Sequence, residues 1–341
     1  MPESAASSLG ARDVLRLLRE HVEVEKGKTR GHLGLPRDID FSLHDGVLSV
    51  RIHNPMANMQ TNEAAFEAWI LILKRWLDGD IDRVFLDYSV PDIISECYVA
   101  DYRRQHYNRF LFRLNGFTKL FGDWVTLADD RQAEVASFMD WLRRGPSLLN
   151  HPIARARSVI ATEKLERQVE SWLVFHEGKQ LLCDHLALNP DKVFHQLPVG
   201  VFHERIAANT AIFTRGASAI DIWGVGLDDE TLHLIELKVG SNKGVGAISE
   251  TLFYAQVLQQ ACIEQEGFIS FGKWGNVGEQ RGIDLLRCRK YARLAVHFMA
   301  EQFHPLFDSQ VCMLIDKGLS AWGAAADQIL YDYSQKRIDP A

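Results

Sequence analysis

Cysteine is scarce and scattered, with five residues at 97, 183, 262, 288 and 312 and no close pair among them. That spacing excludes a zinc knuckle and a Cys-x-x-Cys redox motif. An odd, dispersed set also argues against a disulfide framework, so a reducing, cytoplasmic setting is expected. Long apolar runs are missing too. The stretch 68–73 is ended by Lys74 and Arg75, far short of the ~20 residues a spanning helix needs, so no membrane is expected. Residues 1–12 lack a basic start followed by an apolar run, so no secretion signal is expected. There is no His-Glu-x-x-His helix, no Gly-x-Ser-x-Gly elbow and no Walker spacing around the Gly-rich stretch 238–246, which removes support for a zincin, a serine hydrolase and an ATP site. Positive charge is not in excess: 38 Lys and Arg face 45 Asp and Glu, for a net charge of -7. The chain is therefore no general polycation, and any contact with nucleic acid must rest on a local basic face.

Aromatic and apolar residues are what the chain has in quantity. With 18 Phe, 8 Trp and 8 Tyr in 341 residues, 47% of them hydrophobic, it can bury a large core and is not a disordered chain. At roughly 100–200 residues per domain, two domains are expected. Apolar periodicity predicts a helix over 11–24, a hairpin over 39–52 with an Asp45-Gly46 turn, a helix over 62–77, a strand over 82–90, and helices over 95–114 and 130–144. Arg143-Arg144-Gly145-Pro146 stops the last of these, and the domain boundary is placed at 150–158. Beyond it the pattern predicts a helix over 162–176, strands over 193–206, 219–225 and 232–239, a helix over 247–264, and helical structure over 285–303. Helix, strands in succession, helix and strand make an α/β class with a mixed sheet.

The chemistry concentrates in two strands. Ala219-Ile220-Asp221-Ile222-Trp223-Gly224 and Leu232-His233-Leu234-Ile235-Glu236-Leu237-Lys238 flank a polar turn and form an antiparallel hairpin, so Asp221 and Glu236 can lie side by side across it. Glu236 and Lys238, two apart, share a face. Two adjacent carboxylates in an apolar hairpin are costly unless a cation neutralises them. Oxygen donors without Cys or His suit a hard ion, Mg²⁺ first. A nearby lysine can orient water and stabilise charge developing on a phosphate, so the set is equipped for metal-assisted phosphodiester hydrolysis. The plain alternative is a solvated strand face with a cross-strand ion pair. It is opposed by the apolar run 234–239, which reads as a central strand.

On these residues the chain resembles the PD-(D/E)XK nuclease superfamily, with its restriction-endonuclease-like fold. Asp221 matches the first acid, preceded by Ile220 rather than Pro, and Glu236-Leu237-Lys238 matches the (D/E)XK element. Residues 163–173 resemble the family's first core helix, which often carries one more acid. Glu166 and Glu170 share a face there, with Glu170 favoured for its neighbours Val169, Trp172 and Leu173. Glu250 and Tyr254 are similar to a Gln-x-x-x-Tyr element with Glu in place of Gln, although Tyr254 and Gln256 are read first as helix packing. The resemblance spans about 158–316.

It implies a C-terminal αβββαβ core over 156–341, its mixed sheet flanked by helices. An N-terminal α+β domain over 1–155 would serve recognition, assembly or regulation, through another copy of the chain or a protein partner. It implies a Mg²⁺-dependent nuclease, with Mn²⁺ able to substitute and DNA the expected polymer, in genome maintenance or phage defence. Asp221, Glu236, the Leu237 carbonyl and Glu170 would hold the metal, Lys238 would position the attacking water, and Glu166 or Glu170 would add a further acid. A non-catalytic binding module on the same fold and an RNA-directed nuclease are the other readings. Basic residues among aromatics at 102–113, and Arg281, Arg287, Arg289, Lys290 and Arg293, are the candidate phosphate-tracking stripes.

Overall fold

The alternation over 39–52 becomes the antiparallel pair β1 (Ile39–His44) and β2 (Val47–Ile52). Its tight turn is made possible by left-handed backbone at Asp45 (φ 46°) and Gly46 (φ 74°). β3 (Arg83–Tyr88) and β4 (Val125–Leu127) add in parallel to give a four-stranded sheet in the order β1-β2-β3-β4. Around it lie α1 (Ala11–Lys26), α2 (Phe66–Trp76), α3 (Tyr102–Leu120) and α4 (Asp129–Arg144). The chain is known from a computed structural model that describes residues 8–27, 33–92, 95–99, 101–149, 161–213, 218–240, 244–272, 282–288 and 290–340. The expected boundary at 150–158, the Gly-rich residues 241–243, and Arg281 and Arg289 lie outside the described residues.

The second half carries a six-stranded mixed sheet in the order β13-β12-β11-β9-β8-β6. After α5 (Ala161–Phe175) and α6 (Gly178–Leu186), the strands β6 (Leu188–Pro198), β8 (Ala219–Gly226) and β9 (Thr231–Lys238) run antiparallel in turn. α7 (Gly246–Leu258) then leads through a π-turn (Gln259–Ile263), β10 (Ile269–Phe271) and α8 (Ile283–Cys288) to β11 (Arg293–Ala300), which lies parallel to β9. β12 (Ala324–Asp332) is parallel to β11, β13 (Arg337–Pro340) closes the edge antiparallel, and α9 (Ser309–Leu319) packs on β12. A small sheet links the two halves: β5 (Ser147–Leu149) runs parallel to β10 and antiparallel to β7 (Val201–His203). The protein is thus a mixed α/β chain. No helix among the described residues is long and apolar enough to cross a membrane.

Two expectations are corrected. Residues 285–303 are not helical throughout, because 293–300 form β11 between β9 and β12. A strand covered on both faces has no alternation, so its apolar run reads like helix. The Arg-aromatic segment 102–113 does not present its arginines as one phosphate-tracking stripe either, since only Arg103 of the four is exposed. α3 packs against both α4 and α7, and Arg104, Arg109 and Arg113 are buried. Arg104 donates to Asn108 (2.9 Å) and to the Ser95 carbonyl (3.1 Å) and lies 4.2 Å from the Tyr98 ring centre. Of the second basic set, Arg287 pairs with Asp284, Lys290 donates to the Ala261 carbonyl, and Arg293 pairs with Asp228.

The halves meet through α2 and α3 against α7. Arg113 of α3 makes a two-pronged pair with Glu67 of α2 (2.8 and 2.5 Å), both side chains 2% exposed. Ser249 of α7 donates to the same carboxylate at 2.7 Å. Gly116 on α3 leaves room for Gln256, whose amide donates to the Phe112 carbonyl at 2.9 Å. Removing one partner of such a pair strands a buried charge. Glu67→Ala should therefore cost about 3–5 kcal/mol in urea unfolding, and Glu67→Met with Arg113→Met should recover part of that loss. A cost below about 1 kcal/mol would mean that water reaches Arg113 when Glu67 is removed.

Candidate functional site

Every position of β8 from Ile220 to Gly226, and of β9 from Leu232 to Leu237, is buried. The apolar side chains there have a core on each face of the sheet, α7 packing on one side and α5 on the other. Such strands offer no water to a charged residue, yet they carry Asp221 and Glu236. The Ile222–Ile235 pair of the β8–β9 ladder sets Asp221 opposite Glu236 one step further on. Both line a cleft of about 260 Å³ together with Lys238, Glu166, Glu170, Gln196, Glu250, Tyr254 and Gln60. All of Asp221, Glu236, Lys238, Glu166 and Glu170 therefore converge on one cavity. The side chain of Leu237, in contrast, packs into the α5-side core, and its amide donates to Asp221 Oδ2 at 2.9 Å.

Lys238 Nζ donates to Glu236 Oε1 at 2.5 Å and to Glu250 Oε2 at 3.5 Å. Glu250 is held in place in turn: Tyr254, one helical turn on, and Gln60, 190 residues away in sequence, each donate to its Oε1 at 2.5 Å. The loop bearing Gln60 sits close against the start of α7, where a side chain at Gly246 would strike the Gln60 carbonyl. Asn62 Oδ1 also accepts from the Val245 amide at 3.0 Å. On the opposite wall, Glu170 accepts from Gln196 (3.2 Å) and is bonded to His195 Nδ1 (2.8 Å), so both its oxygens are engaged. Of Glu166 and Glu170, it is Glu166 whose charge helps to raise Asp221.

Burial governs the protonation of this set. It pushes the Asp221 carboxyl up to about 8, against the pull of the Lys238 ammonium and the Leu237 amide. It also raises Glu236 well above the ordinary carboxylate range, helped by the charges of Asp221 and Glu250. Burial works against the charge of Lys238, but Glu236, Glu250 and Asp221 outweigh it and hold the ammonium protonated. For Glu250 burial is likewise outweighed, here by Lys238 and the hydrogen bonds from Tyr254 and Gln60, and its pKa is lowered. Glu236 Oε2 is buried with no hydrogen-bond partner among the described residues, an acceptor that costs about 1–3 kcal/mol in that state.

Three or more His, Cys, Asp or Glu side chains poised together around a metal ion are not found among the described residues. The two carboxyls that the hairpin sets side by side are Asp221 and Glu236, and Glu250 joins Glu236 through Lys238. Such a pair suits a hard cation that keeps waters and takes substrate oxygens as further ligands. Sequence reasoning missed Gln60, His195 and Gln196. Gln60 leaves no signal in sequence, since only the packing of its loop on α7 brings it here. Glu250 and Tyr254 were visible as an i, i+4 pair, and Tyr254 is both fully buried packing and a donor in the cleft. Gln256 faces α3 instead.

A carboxyl raised by burial binds its proton more tightly folded than unfolded, so its contribution to stability falls as pH rises from about 4 to about 8. Asp221→Asn keeps an acceptor for the Leu237 amide and removes that penalty. In EDTA it should stabilise the chain by on the order of 1–4 kcal/mol at pH 8, with the gain shrinking towards zero near pH 4. Thermal unfolding across that range checks this, and a gain independent of pH would refute it. No family model, curated protein or solved structure matches the chain.

Proposed function

We propose that this chain is a Mg²⁺-dependent nuclease of the PD-(D/E)XK type that hydrolyses phosphodiester bonds, with DNA as the substrate. The observation that carries the proposal is the convergence of Asp221, Glu236 and Lys238 in one cleft, with a buried Glu236 oxygen that accepts from no donor among the described residues and a lysine kept charged beside it. The element order supports the same reading. α5, the antiparallel β6, β8 and β9, then α7 and a β11 parallel to β9 follow the αβββαβ order, with α5 and α7 on opposite faces.

The donor set fits the cation. Asp221 and Glu236 would hold Mg²⁺, with Mn²⁺ able to substitute. The Leu237 carbonyl would join them, since in an extended residue it points the same way as the amide that meets Asp221. The bound ion would supply Lewis-acid polarisation of the phosphate and a more acidic water. Lys238 presents a fixed ammonium to the attacking water and to the charge that develops on the phosphate, and its position is set by Glu236 and Glu250. Gln60 and Tyr254 fix Glu250 and so act through it as positioning residues. Glu166 adds negative charge near Asp221, which favours occupancy by a cation. Glu170 orients His195 and Gln196 at the rim.

Cleavage of supercoiled, linear and single-stranded DNA and of RNA, in EDTA, Mg²⁺ and Mn²⁺, tests the proposal. DNA cleavage should require the metal and fall at least about 10²-fold in Lys238→Ala and in Asp221→Ala. Gln60→Ala should lower kcat about 10-fold with KM nearly unchanged. Equal activity in wild type, Lys238→Ala and Asp221→Ala would place any cleavage elsewhere. Metal-dependent cleavage of RNA alone would reassign the polymer. No cleavage and no metal binding would leave a binding module on this fold.

A further inference from the structure

α5 separates the cleft from a second cavity of about 330 Å³, and Arg167 lines both. Glu166 and Glu170 face the cleft, while Ser171 and Trp172 lie on the other side of the same helix and line the second cavity. From 166 to 172 the helix advances only ~9 Å. Trp172, 2% exposed, forms part of the lining, and the half-buried Tyr333 meets it edge-on with ring centres 5.5 Å apart. Lys336 lies over both rings, its Nζ 3.8 Å from the Tyr333 centre and 5.0 Å from that of Trp172, and within 3.7 Å of Glu177. Tyr333 and Lys336 sit on the turn between β12 and β13. Asp332 accepts there from Ser334 and Gln335, and Lys336 takes left-handed backbone (φ 52°).

We propose that this cavity is a nucleotide subsite that takes one unpaired base of the polymer cut in the cleft; it rests on the nuclease reading and names the form of its substrate. A ring wall beneath two cations matches the two parts of a nucleotide. The base stacks on Tyr333 in the place the Lys336 ammonium now holds, and the displaced ammonium and Arg167 meet the flanking phosphates. A phosphate alone has no use for aromatic rings, and an apolar ligand has none for Arg167 and Lys336. A paired base offers only its edges, so a duplex cannot reach the rings, whereas an unpaired or frayed base can. Arg167, which borders both cavities, is the cation placed to hold the phosphate between the base in the subsite and the bond cut in the cleft.

The test is fluorescence anisotropy of a labelled single-stranded twelve-nucleotide DNA and of its duplex in Ca²⁺, alongside cleavage in Mg²⁺. Wild type should bind the single strand more tightly than the duplex. Tyr333→Leu and Lys336→Glu should each weaken single-strand binding about 10-fold, raise KM on single strands with little change in kcat, and leave duplex binding unchanged. Tyr333→Phe should bind as wild type does. If Tyr333→Leu unfolds, Lys336→Glu on its exposed turn still decides the matter. Wild-type cleavage with single-strand binding untouched by Lys336→Glu would overturn the subsite and leave the nuclease reading standing. Equal loss on single strand and duplex would overturn the selection for an unpaired base. A wild type that neither binds nor cuts any nucleic acid would remove both.

Discussion

The Lys238 ammonium lies 2.5 Å from Glu236 and 3.5 Å from Glu250 in a setting with little water, and a charge so placed is stable only while its partners hold still. Much of the surrounding structure holds them still. Tyr254 and Gln60 fix Glu250, the close approach at Gly246 fixes the loop of Gln60, and the Glu67–Arg113–Ser249 set ties α7 to α2 and α3. The first half of the chain is in this sense part of the site, since it supplies a donor to the carboxylate that positions the lysine.

Two carboxyl groups face each other across the β8–β9 hairpin at a cost the surrounding residues do not fully offset. Asp221 is pushed towards neutrality and one oxygen of Glu236 has no partner among the described residues. Local instability of this sort is tolerated where a ligand relieves it. A divalent cation would relieve both at once, whereas a solvated surface pair would need no such relief. That contrast is what supports the proposed catalytic reading over the plain reading of the same residues.

The reading of the basic segments shows how charge in a sequence misleads. The arginines of 102–113 have the spacing of a phosphate-binding stripe, but α3 packs against α4 and α7, and the charges of Arg104 and Arg113 are spent on Glu67, Asn108, backbone carbonyls and aromatic faces. Arg167 and Lys336, which stood out in no pattern, border the cavity beside the cleft. A helical stripe says which residues share a face; it does not say what covers that face.

The sequence by itself determined the hairpin at 219–238, the pairing of Asp221 with Glu236, the shared face of Glu236 and Lys238, and the acids of α5. Each follows from strand or helix periodicity over a few residues. It also determined the β1–β2 hairpin, because Asp45-Gly46 suits the left-handed backbone of that turn. Tertiary structure alone decided that 293–300 would be a strand, since it is buried on both faces and its pattern lacks a period. Tertiary structure also decided that Gln60 would reach Glu250 and that Arg113 would be neutralised by Glu67. Those contacts join residues far apart in the chain, and what fixes them is the packing of one helix on another, which no local pattern encodes.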